Sequence, residues 1–425
     1  MGLNTVKGVF VANTSTGNQT VNLPNGFDPK VVILWTSQQT AADTTSDDGA
    51  MAIGYGTYRG AAVQQRYVCT WDEDAALTMD CSRGGDVGAV LLGVSDGAAT
   101  VDFEADLVSL NDGSPATFVI NWVDAPASAI RIHYLALGGS DITDAFVGQF
   151  DLAQAATQDV TITSGFGQPD LLLFIHGSRD SGVASAGDAG IMFGVAKSDT
   201  VRQCTYWQSR DGSASGQISK WQKARAILQV TSAGAADTEG DLSAKAEWPT
   251  DGFELTFPDQ PGSAAIHMGY IALKGTFQSA LGVNTAVTSG TPPVTQDNAC
   301  GFAPLAGLFW GGNLIASTLI ITSDATLGSF FLGGTDGTNE GCTIESGDDV
   351  ADPSNTARRS SEAKAVQFYN QVMTLQSEAD ASFSGDNLRL SWNDIDTVAR
   401  EYVWLALGAA AAAAETIPDL VMARR

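Results

Sequence analysis

The sequence predicts an all-β protein: three tandem, jelly-roll-like β-sandwich domains of about 135 residues, followed by a short C-terminal tail. Three observations predict it. First, an apolar strand closing on glycine recurs as Tyr134-Leu135-Ala136-Leu137-Gly138, Tyr270-Ile271-Ala272-Leu273-Lys274-Gly275 and Trp404-Leu405-Ala406-Leu407-Gly408, at spacings of 136 and 134 residues. Second, Gly-Phe and a nearby proline precede an apolar run three times, at Gly26-Phe27-Asp28-Pro29, Gly165-Phe166-Gly167-Gln168-Pro169 and Gly301-Phe302-Ala303-Pro304. Third, a 3.6-residue hydrophobic period is nearly absent before residue 409, while turn-forming clusters interrupt short apolar stretches throughout.

Taken in order through the first copy, residues 9–12 read as a strand, and 20–23 alternate with period two. Residues 31–35 form a continuous apolar run, the pattern of a strand buried on both faces. The run 44–49, Thr-Thr-Ser-Asp-Asp-Gly, and Ser95-Asp96-Gly97 read as turns. Residues 118–122 and the Tyr134 strand flank a Pro-containing hairpin connection. Further anchors keep the register: Ile53-Gly54, Phe193-Gly194 and Leu332-Gly333, then Trp122, Phe257 and Trp392, then the doublets Ala105-Asp106, Ala246-Glu247 and Ala379-Asp380. The expected domains are 1–139, 140–275 and 276–409, joined by linkers so short that they favour a compact or rigid row. Residues 410–425 form a docking tail with Ile417, Leu420, Met422, Arg424 and Arg425 as its anchors. A polar loop is expected around 348–359.

With 48 acidic and 22 basic residues the net charge is −26, a field that repels phosphate backbones and argues against nucleic-acid binding. No run approaches the ~18 apolar residues of a spanning helix, and the N-terminal residues carry no secretory pattern. Cys69, Cys204 and Cys342 fall at like places in three copies, which suits buried core thiols rather than a disulfide or metal framework.

Chemistry-bearing patterns are sparse. Gly93-Val94-Ser95-Asp96-Gly97 matches a nucleophile elbow but lacks the strand-turn-helix context, so it reads as a turn. His133, His176 and His267 occupy different positions in the three copies and are expected at the surface or at strand ends. No cofactor is implied; the Asp-rich loops 43–48 and 180–188 could hold calcium but lack EF-hand spacing. Trp71, Trp207 and Trp221 neighbour polar loops, where an indole face could stack on a sugar ring, although core packing is the commoner use.

The Gly-Phe-x-Pro lead-in, the buried strand after it and the closing His133-Tyr134-Leu135-Ala136-Leu137-Gly138-Gly139 strand resemble repeats in virion proteins of tailed bacteriophages, over residues 7–408. The resemblance implies a non-enzymatic structural protein on the virion exterior, as capsid decoration or a tail-associated, host-facing module, assembled in the host cytoplasm. Its partners would be other virion proteins, further copies of itself and host surface glycans, without membrane insertion. The alternatives are a multivalent carbohydrate-binding protein and a glycan depolymerase. Denaturing thiol titration should count all five cysteines as free; a count of three or one would reveal a bridge.

Overall fold

The computed structural model describes residues 2–60, 62–75, 78, 80–177, 185–212, 218–230, 236–262, 266–314, 329–347, 355–370 and 373–411. These residues form six antiparallel sheets that pair into three sandwich units. The large sheet of the first unit runs β1 (Leu3–Val11), β11 (Arg131–Gly139), β3 (Pro29–Thr36), β5 (Gly49–Arg59), β6 (Ala62–Asp72), β7 (Cys81–Asp86). Its small sheet runs β2 (Gly17–Asn22), β10 (Thr117–Asp124), β9 (Val101–Asn111), β8 (Leu91–Val94). A short strand, β4 (Thr45–Asp47), leaves this unit.

The same order returns twice. In the second unit the large sheet is β12 (Ile142–Asp151), β22 (His267–Gly275), β14 (Leu171–His176), β16 (Ala189–Ala196), β17 (Arg202–Ser209), β18 (Ile218–Lys223). It faces β13 (Thr157–Thr161), β21 (Gly252–Asp259), β20 (Ala236–Leu242) and β19 (Ile227–Val230), while β15 (Ser185–Ala186) leaves the unit. The third large sheet is β23 (Gln278–Thr285), β32 (Glu401–Gly408), β25 (Pro304–Leu314), β26 (Ser329–Thr335), β27 (Glu340–Gly347), β28 (Thr356–Ser361). It faces β24 (Val294–Ala299), β31 (Asn387–Asp394), β30 (Leu375–Ser384) and β29 (Val366–Tyr369). The first and last strands of each unit cross between sheets as in a jelly roll, whereas β3-β5-β6-β7 and β8-β9-β10 run as successive meanders.

Burial follows from this layering. Small-sheet strands have one wet face, so β10 alternates Phe118, Ile120 and Trp122 inward against half-exposed Thr117, Val119 and Asn121. Large-sheet strands are covered on both faces. Val32 and Leu34 enter the first sandwich's own core, and Val31, Ile33 and Trp35 enter a second core shared by all three units. That central core gathers Ile53, Phe193 and Leu332, together with Trp207 and Trp310. The units are therefore not a row. They close on one another around a common apolar centre, because each large sheet has a second apolar face that only the other two can cover.

Two arms reinforce the closure. β4 of the first unit adds to β28 of the third, Asp47 opposite Ala357, and β15 of the second unit adds to β7 of the first, Ala186 opposite Ser82. Part of the stretch expected as a polar loop, 348–359, is thus strand β28, which receives an arm. Away from the arms, Asp141 ties the unit junctions together: its carboxylate accepts the amides of Leu3 at 2.8 Å and Ala410 at 2.7 Å, and its carbonyl accepts Thr276 N at 2.9 Å.

At one corresponding position in each unit a glycine is sterically required. A Cβ on Gly54, Gly194 or Gly333 would lie 1.7, 2.3 or 1.9 Å from the carbonyl oxygen of Val90, Ala226 or Ala365, which leads into the small-sheet edge strand β8, β19 or β29. Gly333→Ala should lower stability by about 2–4 kcal/mol in denaturant unfolding, since backbone rather than a movable side chain must yield. A loss below about 0.5 kcal/mol would mean that the small sheet is not seated there.

Candidate functional site

The three unit junctions present three clefts at corresponding places, and their chemistry differs. Each is floored by the edge strand of one unit. The residues at issue there are Lys7, Val147 and Leu281, which pair with Leu135, Ile271 and Leu405 respectively. The facing wall comes from the neighbouring unit. Gly54 pairs with Tyr67, Gly194 with Cys204 and Gly333 with Cys342, which puts Gln65, Arg202 and Glu340 at matching positions two residues earlier. In the same register Asp106, Asp241 and Asp380 correspond, each following the residue paired with the first residue of the small-sheet edge strand β8, β19 or β29.

These pairs interact in three ways. Gln65 Nε2 donates to Asp106 at 2.9 Å. Arg202 donates to both oxygens of Asp241, Nη2 to Oδ2 at 3.0 Å. Asp380 pairs with Lys364 at 2.6 Å and accepts Asn393 Nδ2 at 2.6 Å, while Glu340 accepts the Ala381 amide beside it; burial, with Asp380 adding and the Ala381 amide opposing, pushes Glu340 up to about 8. The cleft holding Glu340 measures about 630 Å³ and is walled by Lys7, Thr338, Asn339, Glu340, Glu362, Lys364 and Asp380. Those at Gln65 and Arg202 measure about 440 and 150 Å³.

Behind the large cleft lies a polar chain. Lys7 Nζ meets His133 Nδ1 at 2.9 Å and the carbonyl of Glu340 at 3.1 Å, and His133 Nε2 meets Ser360 Oγ at 2.7 Å. Burial lowers Lys7 to about 8 and holds His133 well below its ordinary value. The lysine ammonium donates to Nδ1, so Nε2 carries the ring proton and donates to the serine. A nucleophilic serine needs the opposite tautomer, and Ser360 is fully buried. The chain is a structural seam between the first and third units.

A second buried polar group lies at the arm end of the central core. Thr70 Oγ1 donates to Glu345 Oε2 at 2.7 Å, joining the first unit to the third. Asp72 is fully buried near Cys81 and Ser209, and burial raises it to about 7, with Asp211 and Asp188 adding to the rise. Burial, then Asp72, raises Glu345 well above the usual carboxylate range.

The residues singled out from the sequence are placed differently from expectation. Trp71, Trp207 and Trp221 are 5%, 0% and 4% exposed and pack into three different cores, so their faces are occupied by protein and offer no sugar platform. His133 and His176 are fully buried rather than at the surface, because both lie in large-sheet strands whose second face is covered; His176 does end a strand and His267 begins one, while His133 lies within β11. Cys69 is buried like Cys204 and Cys342, but it lies two residues beyond their position, where Tyr67 stands instead. The Asp241 position is filled from Gly240-Asp241, not from Ala246-Glu247, which lies in a single 3-10 turn. Ile417, Leu420, Met422, Arg424 and Arg425 lie outside the described residues, as does most of the 180–188 loop. The 43–48 loop supplies β4, and among the described residues no group of three or more His, Cys, Asp or Glu converges to hold a metal ion.

No protein-family model matches the chain, and no curated protein matches its sequence.

The buried acids and histidines make opposite pH demands. A carboxyl raised in the fold stabilises at low pH, and that contribution is lost as pH rises toward about 7 for Asp72. A histidine depressed in the fold, to about 3 for His176, costs stability as pH falls below ~6.5. Asp72→Asn should therefore gain stability relative to wild type at pH 8 compared with pH 5, read from denaturation midpoints. Equal differences at both pH values would show that Asp72 titrates normally.

Proposed function

We propose that this protein is a non-enzymatic structural component of the exterior of a tailed-phage virion, a capsid-decoration or tail-associated module. The observation that supports this reading best is the closed three-unit body, in which one apolar core and exchanged arms make a rigid block from a single chain. A block of that kind suits assembly on a particle, where a surface component must keep its shape without a partner holding it. The multivalent lectin reading loses support, because the three tryptophans that would have carried equivalent sites are buried. The depolymerase reading gains none from the Glu340–Asp380 pair, since Asp380 is held in an ion pair with Lys364 at 2.6 Å and Glu340 accepts the Ala381 amide.

The tail fits the same reading. Its root is held where Asp141 accepts the Ala410 amide, so residues 412–425 start from a fixed point on the body. Gradient-purified particles should contain the chain in a constant ratio to the major capsid protein by mass spectrometry. Removal of residues 412–425 should leave the unfolding midpoint within about 1 °C yet abolish incorporation, as expected for a docking tail that carries little of the fold. A chain found wholly in the soluble lysate would sink the virion reading, and wild-type occupancy of the truncated form would sink the tail's role.

A further inference from the structure

We propose that Asp72 and Glu345 hold one calcium ion at the arm end of the central core, where the three units meet. The inference goes beyond the virion reading and stands without it.

Corresponding positions carry it. Tyr67, Cys204 and Cys342 pair with the three required glycines. Three residues further on stand Thr70, Trp207 and Glu345, and five further on stand Asp72, Ser209 and Gly347. Members of both sets converge: Thr70 donates to Glu345 at 2.7 Å, and Ser209 stands beside Asp72. Two carboxyls and a hydroxyl from three different units thus share one buried place. Asp72 and Glu345 are fully buried, yet neither oxygen of Asp72 nor Oε1 of Glu345 has a hydrogen-bond partner among the described residues. Ser209 Oγ and Cys81 Sγ lie alongside without bonding either Asp72 oxygen, and they meet each other at 3.5 Å. Carboxyls that lack even each other as partners cannot share a proton directly. Gly49, paired with Asp72, borders both side chains: a Cβ there would lie 3.1 Å from Glu345 Oε1 and 3.3 Å from Asp72 Cβ.

The surroundings name the ion. The charged groups acting on Asp72 are Asp211 and Asp188, both acidic, while Glu345 feels Asp72 and one base, Arg358. Two buried carboxylates match the charge of a divalent cation. The donors are oxygens, which suits a hard ion, and a set drawn from three units fits calcium's flexible shell better than magnesium's strict octahedron. Burial keeps the neighbouring Cys81 thiol protonated, so it offers no thiolate to zinc. Asp72 Oδ1 and Oδ2, Glu345 Oε1 and Ser209 Oγ are fewer than the about six to eight oxygens calcium takes, so water completes the shell. In the metal-free chain both carboxyls hold protons to higher pH than usual. Calcium displaces them, so its affinity rises between pH 6 and pH 8.

The test strips the full chain with EDTA, removes the chelator and titrates calcium chloride by calorimetry. One site per chain should appear, and calcium at a hundredfold excess over Kd should raise the unfolding midpoint by about 3 °C. Terbium, a luminescent stand-in for calcium, should emit on tryptophan excitation, because Trp207 fills the third corresponding position, and calcium should abolish that emission. Glu345→Gln and Asp72→Asn should each weaken binding on the order of a hundredfold. Asp159→Asn, on the exposed side of β13, should leave it unchanged, with folding checked by near-ultraviolet dichroism. Where a variant does not fold, the wild-type terbium signal decides. A midpoint indifferent to calcium, absent terbium emission, or wild-type calcium affinity in both carboxyl variants would each overturn the proposal.

Discussion

Everything in this molecule depends on the need to bury the second face of three large sheets. Each small sheet covers one face of its partner and leaves the other as an apolar surface too broad for water, lined in the first unit by Val31, Ile33, Trp35, Met51 and Ile53. Large aliphatic and aromatic side chains contribute about 1.5–3 kcal/mol each on burial, so the three faces gain far more by meeting than any junctional hydrogen bond supplies. The units are consequently interdependent. The β4 and β15 arms and the Asp141 contacts hold a closure that the apolar centre drives.

The same closure creates the polar seams. Large-sheet positions that would be wet in an isolated sandwich are covered here by a neighbouring unit, so Lys7, His133, Arg66, His176, Asp72 and Glu345 all end up buried. Their environments follow from dehydration first and partners second: Arg66 is lowered to about 10 by burial even with Asp86 nearby, and it donates to Gln149 and to the His267 carbonyl of the second unit. Because the units have diverged, corresponding positions at the three junctions hold different chemistry. Only one junction acquired a charged floor and an acid pair. That asymmetry inside a repeated frame is what separates the large cleft from its two counterparts.

Some of this was legible beforehand and some was not. Continuous apolar runs such as 31–35 announced strands covered on both sides, and the alternation in 20–23 announced a sheet with one wet face; both follow from the two-residue period of a strand. The glycine anchors at 54, 194 and 333 also fell where sterics require them. The cysteine and acidic-doublet alignments slipped, by two residues at Cys69 and by several at Ala246-Glu247. A two-residue slip keeps a side chain on the same face and leaves no trace in the pattern.

What the sequence determined by itself was local: strand character, the period of the anchors, which side chains of a strand share a face, and the burial of the thiols. Hydrophobic periodicity reports whether a face is covered, and it cannot report by what. Tertiary structure alone decided that the second face of each large sheet meets the other two, that β4 and β15 cross to foreign sheets, and that Glu340 lies near Asp380 and Lys7, residues 40 and 333 positions away in the chain. Contacts between residues so distant are set by how whole sheets stack, and stacking depends on the summed shape and area of many side chains, which no single motif encodes.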